Sequence, residues 1–290
     1  MTTKTETFLF NESRLMNIFP ERMNEESFSQ VEFRVVRTRT ELEKAYALVY
    51  KEYLKEGFTD ENPYGLRFSF YNALPETTTL IAISDNSEII ATATIISDSV
   101  LGLPMNDVFE TELAQLRSDG KKICEITMLA ADTDFFKQNS PALPFNSSLY
   151  IFSFFKVILD YVQNILGFDT MCAAVHPHRK AIFDHLLFQD FGTEKSYYNA
   201  NGAPAIAKYL DVHSVAEGFS QPGKERLYKI FVLQQTDISQ FEGPLRFTLD
   251  DLLYFFAMKS DILSTIHPSI FEYIRSCYPA LIETSSINYN

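Results

Sequence analysis

Glu125 is an acidic residue inside a segment, 122–130, that otherwise has the composition of a buried strand. A carboxyl group in an apolar environment has a raised pKa and can accept a proton from a reacting group. The residues alone leave two other arrangements open. The carboxylate could face solvent, or it could form an ion pair with Lys122 or Arg117. We expect Glu125 to be catalytic, because unpaired acids are rarely buried otherwise.

Two further charged side chains have more than one possible role. Asp98 precedes Gly102 and Pro104, where it could orient a substrate ammonium group or anchor a turn through its own backbone. Arg117 could hold a substrate carboxylate in a bidentate fork, or lie at the C-terminal end of a helix. Cys124 precedes Glu125, so strand alternation points its side chain to the opposite face, and we expect it to be core.

The histidines of His176-Pro177-His178 stand at the predicted start of a helix. His178 is a candidate for a second proton acceptor, and a histidine bonded to the backbone at the helix entry is the alternative. The pair does not form a metal site by itself, since no carboxylate lies nearby at ligand spacing. We expect no bound metal.

Periodicity and turn residues predict the elements that position these side chains. The predicted order is β-α-β-β-α-β-α-β-α-β-β within residues 31–215, including a hairpin at 78–96, a strand at 122–130 and a strand at 170–175. Thr40 and Glu43 have the spacing of a capping box before the first helix. Residues 1–30 are predicted to be an arm, and residues 216–290 a mainly helical appendage in which Thr248 and Pro268 begin helices.

Composition excludes several classes of protein. The 290 residues are 46% hydrophobic, and 25 basic against 38 acidic residues give a net charge of −13, which disfavours nucleic-acid binding. Three widely spaced cysteines and a start without a secretory signal favour a reducing compartment, the cytoplasm. The most apolar stretch, 149–168, contains Lys156 and Asp160, so we expect no transmembrane segment.

A combination of short motifs resembles one family, the long-chain N-acyl amino acid synthases, which are related to the acyl-homoserine lactone synthases. The motifs are Ser97–Met105, Glu112-Leu113, Leu116-Arg117, Cys124-Glu125-Ile126, Leu129-Ala130 and Asn201–Ala205. The resemblance implies the α/β (α+β) fold of Gcn5-related (GNAT-like) acyltransferases, with a mixed central sheet flanked by helices. It also implies transfer of a long acyl group from an acyl-carrier-protein thioester to the amine of an amino acid. The donor would be an acyl-phosphopantetheine, with no tightly bound cofactor.

The resemblance also implies where substrates bind. An opening between the strands at 123–129 and 170–175 would admit the donor arm, with Asp98, Arg117, Met128, Leu129 and Ala130 as substrate-binding residues. Carrier docking would use the cations at both strand ends, Lys121, Lys122, Arg179 and Lys180, although ordinary solvated charges are the alternative. Aromatic residues could line an acyl tunnel or form plain core, namely Phe152, Phe154, Phe155, Phe183 and Phe188.

The sequence differs from related families at positions that bear on the acyl donor and on the product. Residues 131–146 contain no glycine, which argues against the phosphate-cradling loop of a conventional coenzyme A site and favours a carrier-protein donor. Phe183 replaces a tyrosine that often protonates the leaving thiolate, so a non-catalytic acyl-binding module is the competing class. Met128 and Thr94 stand where the lactone synthases have arginines, which disfavours lactone formation.

Overall fold

The computed structural model describes residues 31–138 and 146–279 of the chain. The expected N-terminal arm, residues 1–30, lies outside the described residues, as does the segment 139–145. Within the described parts, no helix is long and apolar enough to cross a lipid bilayer.

Eight strands form one mixed sheet with the order β1-β2-β3-β4-β5-β8-β6, and β7 pairs with β8. The strands are β1 (Val31–Val35), β2 (Thr78–Ser84), β3 (Ile89–Ser97), β4 (Ile123–Ala131), β5 (Thr170–Val175), β6 (Gln189–Asp190), β7 (Lys195–Tyr197) and β8 (Ala203–Asp211). Every pairing is antiparallel except that of β4 with β5, which is parallel. The predicted mixed sheet flanked by helices is therefore confirmed.

The helices connect the strands and then follow the last strand. They are α1 (Arg39–Lys55), α2 (Asn106–Ser118), α3 (Thr133–Gln138), α4 (Asn146–Asp160), α5 (Lys180–His185), α6 (Val215–Phe219), α7 (Glu225–Tyr228), α8 (Leu249–Leu253), α9 (Ile262–Thr265) and α10 (Pro268–Ser276). Three of them continue as π-helical turns, α4 through Tyr161–Leu166, α7 through Lys229–Leu233 and α8 through Tyr254–Met258. Short 3₁₀ turns occur at Phe70–Ala73, Pro177–Arg179, Tyr198–Ala200, Val212–Ser214 and Ile238–Phe241.

The first helix begins two residues earlier than predicted. Its capping box uses Thr38 and Glu41 instead of Thr40 and Glu43. The sequence Thr-Arg-Thr-Glu-Leu-Glu at 38–43 contains the capping-box spacing twice. Arg34 pairs with Glu41 at 2.9 Å, and this contact favours the box that starts at Thr38. The caps predicted at Thr248 and Pro268 agree with α8 and α10.

Hydrophobic side chains pack on both faces of the sheet. Cys124 and Ile126 of β4 belong to the layer beneath α4, whereas Ile123, Met128 and Ala130 belong to the layer beneath α1 and α2. The two layers meet at β4, so this strand carries side chains into both halves of the core.

The C-terminal helices complete the layer on the α1 face. Phe255 is fully buried, and its ring packs edge-on against Tyr46 at 5.5 Å and Phe68 at 5.8 Å. Asp251 pairs with Arg39 of α1. This region contains helices within the described residues, and its aromatic side chains are part of the core that packs against the sheet.

Phe255→Ala should therefore lower the free energy of unfolding by about 3–5 kcal/mol, because it removes a fully buried aromatic side chain. The matched control is Phe271→Ala, whose side chain is 39% exposed and should lose less than about 1 kcal/mol. Urea unfolding of both variants makes the comparison. Equal, small losses would show that the C-terminal helices are energetically independent of the sheet.

Candidate active site

Strands β4 and β5 pair at their beginning and then separate. The ladder joins Ile123 to Thr170, Cys124 to Met171 and Glu125 to Cys172, and no pairing follows within the described residues. Each strand stays bound to its outer neighbour, since β4 pairs with β3 as far as Ala131 and β5 with β8 as far as Val175. The sheet therefore contains an internal slot, with unpaired strand edges facing each other.

A β-bulge lies on the β4 side of this slot. The register between β3 and β4 shifts between Thr92 and Thr94, so that Met128 and Leu129 both lie opposite Ala93. Met128 has a φ of 51°, which is unfavourable for a residue with a side chain. Its sulfur accepts a hydrogen bond from the buried amide of Asn72 at 3.5 Å. A bulge removes backbone groups from the regular ladder and re-aims them.

A cavity of about 530 Å³ passes through the slot and reaches both faces of the sheet. On the α4 face its wall is apolar, with Phe33, Ile90, Phe136, Phe154, Phe155 and Phe183. On the α1 face its wall combines aromatic and polar side chains, among them Tyr53, Arg67, Phe70, Glu125, Tyr197 and Asn199. One continuous space thus joins an apolar compartment to a polar one.

Glu125 lies where the two strands begin to separate, and its side chain lines the cavity. The residue is 1% exposed, and its Oε2 accepts a hydrogen bond from the backbone N–H of Met105 at 2.8 Å. No ion pair within the described residues includes it, so it is neither solvent-facing nor paired with Lys122 or Arg117. Burial raises the pKa of this carboxyl group to about 8, against the weaker opposing effect of the Met105 hydrogen bond.

The loop that holds Met105 explains one of the family motifs. Gly102 has a φ of 72°, and a Cβ there would come within 2.8 Å of the Asn106 side-chain oxygen. The same oxygen accepts a hydrogen bond from the Leu103 backbone N–H at 2.8 Å. Tyr71 donates to the carbonyl oxygens on either side of Gly102, at 3.3 Å each. This compact loop places the Met105 N–H against the Glu125 carboxylate.

Asp98 and Arg117, predicted as substrate-binding residues, bind each other. The guanidinium donates Nε to Asp98 Oδ2 and Nη2 to Asp98 Oδ1, both at 2.8 Å, and Nη2 also donates to Asn106 at 2.8 Å. Neither side chain is part of the cavity wall. Their contacts tie the start of the loop to α2, which is a positioning role for the Met105 N–H.

The histidine that lines the cavity is His176, directly after β5, and the side chain of His178 is exposed. His176 Nδ1 accepts a hydrogen bond from the His178 backbone N–H at 3.3 Å, which leaves the ring proton on Nε2. Burial lowers the pKa of His176, with the neighbouring His178 as a smaller contribution. The structure therefore places His176, and not the predicted His178, in the cavity wall.

The four cations predicted to bind a carrier protein do not surround one entrance. Lys121 and Lys122 precede β4 at the paired end of the slot, and Lys121 binds Asp211 at 3.2 Å. Arg179 and Lys180 follow β5 at the open end. With a rise of about 3.3 Å per residue, the strand separates the two pairs by roughly 20 Å. Arg179 lines the cavity and binds Glu56 at 3.2 Å, while Lys180 binds Asp190 at 2.6 Å.

Most of the remaining predicted residues line the cavity. Met128, Leu129 and Ala130 all line the cavity. Phe154, Phe155 and Phe183 do so as well, whereas Phe152 and Phe188 pack in the core behind them. Sequence reasoning missed polar side chains that other parts of the chain bring to the cavity: Tyr53 of α1, Arg67 of the loop before β2, Tyr197 of β7 and Asn199 of the turn after it.

Three carboxylates near the cavity mouth approach one another closely enough to bind a cation, namely Glu52, Asp132 and Asp134. Two lysine ammonium groups already lie among them. Lys51 binds Asp132 at 3.0 Å and Asp134 at 2.9 Å, and Lys55 binds Glu52 at 2.8 Å. Two of the three negative charges of this group are therefore balanced by lysines of the chain itself.

Comparison with known proteins identifies the family of the chain. The model of the family "N-acyl amino acid synthase FeeM" matches residues 44–211, more than half of the chain, from α1 to the end of β8. The chain belongs to the FeeM family of N-acyl amino acid synthases. It is therefore an acyltransferase, and the resemblance drawn from the short motifs is confirmed.

Three solved structures are similar to this chain, and the first of them agrees with it in fold. FeeM, an N-acyl amino acid synthase from uncultured soil microbes, is 26% identical, with a TM-score of 0.56 over 66% of this chain and 95% of FeeM. The AHL synthase LasI is 14% identical, with a TM-score of 0.47 over 63% of this chain and 89% of LasI. MesI, a CoA-dependent acyl-homoserine lactone synthase, is 15% identical, with a TM-score of 0.45 over 71% and 98%. No curated protein sequence matches the chain.

Burial of Glu125 predicts a pH dependence of stability. Its pKa rises from 4.5 in the unfolded chain to about 8 in the fold, so the folded state binds more protons between these values and stability falls as pH rises. Glu125→Gln should remove this loss and become more stable than wild type toward pH 8. The difference should reach several kcal/mol, since one pKa unit corresponds to about 1.4 kcal/mol.

Urea unfolding at both ends of this pH window, with the exposed Glu88→Gln as matched control, checks the expectation. The control should follow the wild-type profile. If Glu125→Gln also follows it, the carboxylate is ionised and well solvated in the folded protein, contrary to the geometry described above.

Proposed function

We propose that this protein transfers a long acyl group from an acyl-carrier-protein thioester to the α-amine of an amino acid. The observation that carries the proposal is the cavity that crosses the sheet between β4 and β5. Its apolar compartment suits an acyl chain, and its polar compartment contains Glu125, a proton acceptor. A thioester lying in the slot would have its carbonyl carbon between the two.

Glu125 supplies the base for this reaction. An amino acid is protonated at neutral pH, and the attacking nitrogen must lose a proton before its lone pair can form a bond to carbon. A carboxylate whose pKa is about 8 accepts that proton more readily than an ordinary glutamate. The C–N bond then forms, the nitrogen gives up a second proton, the C–S bond breaks, and that proton ends on the pantetheine sulfur, which leaves as a thiol. His176, on the β5 side of the slot, is a candidate for passing this proton from the nitrogen to the sulfur and returns to its neutral form.

The backbone of the slot supplies the remaining interactions. A donor arm lying between β4 and β5 can form hydrogen bonds with both unpaired edges, as an added strand does. The bulge at Met128 and Leu129 provides N–H groups outside the regular ladder, and one of them aimed at the thioester oxygen would stabilise the developing negative charge. Phe154 and Phe155 then contact the acyl chain on the α4 face.

Three features support a carrier protein in the cytoplasm as the source of the acyl group. The segment after β4 contains no glycine from 131 to 146, unlike a loop that cradles a pyrophosphate. Arg179 and Lys180 lie at the open end of the slot, where an acidic carrier could dock. The thiols of Cys124, Cys172 and Cys277 are free, in keeping with a reducing compartment.

Mass spectrometry of reactions with amino acids tests the proposal, with acyl-carrier protein and acyl-coenzyme A as alternative donors. Wild type should form N-acyl amino acids, with the carrier-bound donor preferred. Glu125→Gln should fold and lose about 10²–10⁴-fold in rate, as expected for removal of a general base. Glu88→Gln, exposed and outside the cavity wall, should behave as wild type.

Two results would contradict the proposal. Bound fatty acid without any amide product would indicate an acyl-binding protein instead of an enzyme. Full activity of Glu125→Gln would remove this carboxylate from the mechanism, whatever the product.

A further inference from the structure

Arg67 places a guanidinium group in the polar compartment of the cavity. It comes from the loop between α1 and β2 and crosses to the loop after β7, where Nη2 donates to the carbonyl oxygen of Asn199. Nη1 donates to Thr59 at 3.4 Å. The guanidinium lies over the ring of Tyr53, with 5.0 Å between Cζ and the ring centroid. These contacts hold the group in place against one wall of the cavity.

The charge of Arg67 has no carboxylate partner within the described residues. Other arginines of this region do have one, since Arg117 binds Asp98 and Arg179 binds Glu56. Arg67 instead forms its two hydrogen bonds with neutral oxygens, and its Nε is shielded from solvent without an acceptor. A guanidinium has five N–H donors, so several remain available for a ligand. A fixed cation of this kind suits an anionic group in the cavity.

Tyr53 links this cation to the catalytic carboxylate. Burial raises the pKa of Tyr53, the positive charge of Arg67 lowers it, and the negative charge of Glu125 raises it. Both charges therefore act on one side chain that lines the same compartment. An α-amino acid carries its ammonium and its carboxylate on one carbon atom. Its carboxylate can therefore face a cation such as Arg67 while its ammonium group faces an acid such as Glu125.

We propose that Arg67 binds the α-carboxylate of the acceptor amino acid while its amine faces Glu125. The inference rests on the proposed function and names the residue that would select amino acids over simple amines. The phosphate of the donor is the other anion available. It is separated from the thioester by the whole pantetheine chain, whereas the α-carboxylate is two bonds from the attacking nitrogen. Arg67 and Glu125 line the same compartment of the cavity, which favours the carboxylate.

The test compares acceptors that differ only in the carboxylate, using the full-length chain. L-phenylalanine is paired with phenethylamine, and L-leucine with isopentylamine. Arg67→Gln should raise KM about 10- to 100-fold for each amino acid, as expected when hydrogen bonds to a charged group are lost, and leave KM for each amine unchanged. Arg67→Lys should recover part of the loss, and Arg246→Gln, whose side chain is outside the cavity wall and binds the Pro75 carbonyl oxygen, should have no effect.

Calorimetric binding of the same four compounds, without donor, separates this inference from the proposed function. Wild type should bind each amino acid more tightly than its amine, and Arg67→Gln should abolish the preference even if no amide is ever formed. The inference is overturned if wild type shows no preference, or if the variant weakens amino acid and amine alike. A rise in KM for the acyl donor alone would assign Arg67 to the donor phosphate and also overturn it.

Discussion

The separation of β4 from β5 is the constraint on which the rest of the structure depends. Two parallel strands in the middle of a sheet would ordinarily be paired along their whole length, and leaving backbone groups unpaired is unfavourable unless something replaces the missing bonds. Here the outer ladders, to β3 and to β8, hold the two strands in place while their inner edges open. The bulge at Met128 increases the divergence on one side. An extended ligand in the slot would restore the missing hydrogen bonds.

The second requirement is a carboxylate that can be both buried and reactive. Glu125 stands at the last position where β4 pairs with β5, and the loop from Gly102 to Met105 gives it a single backbone donor. That one hydrogen bond does not offset the effect of burial, so the pKa remains raised. The ion pair of Asp98 with Arg117 acts on Glu125 indirectly, because it holds the loop that provides the Met105 N–H.

The sequence predicted the parts of the molecule that depend on local pattern. The bounds of β5, the hairpin of β2 and β3 and the position of Glu125 in a buried strand follow from periodicity and turn residues. The sequence did not predict the start of the first helix, because the capping-box pattern occurs there twice. The box at Thr38 and Glu41 overlaps the one predicted at Thr40 and Glu43, and a tertiary contact of Glu41 with Arg34 favours the first. The two-residue strand β6 is too short to have a period at all.

Side chains that meet across long sequence separations could not be predicted. Arg67 reaches Asn199 across 132 residues, and no local pattern indicates that both line one cavity. Conversely, the charges of Asp98 and Arg117 predicted contacts with a charged substrate. The two side chains pair with each other because the fold places α2 beside the loop. His176 and His178 differ by two residues, and the turn after β5 decides which one faces the cavity.

A crystal structure with a non-hydrolysable thioether analogue of acyl-pantetheine tests the central claim most directly. The account predicts electron density for an extended arm between β4 and β5, bonded to the backbone near Met128, with its acyl tail on the α4 face and its sulfur close to Glu125. Density for the analogue elsewhere, with β4 and β5 paired to their ends, would contradict it.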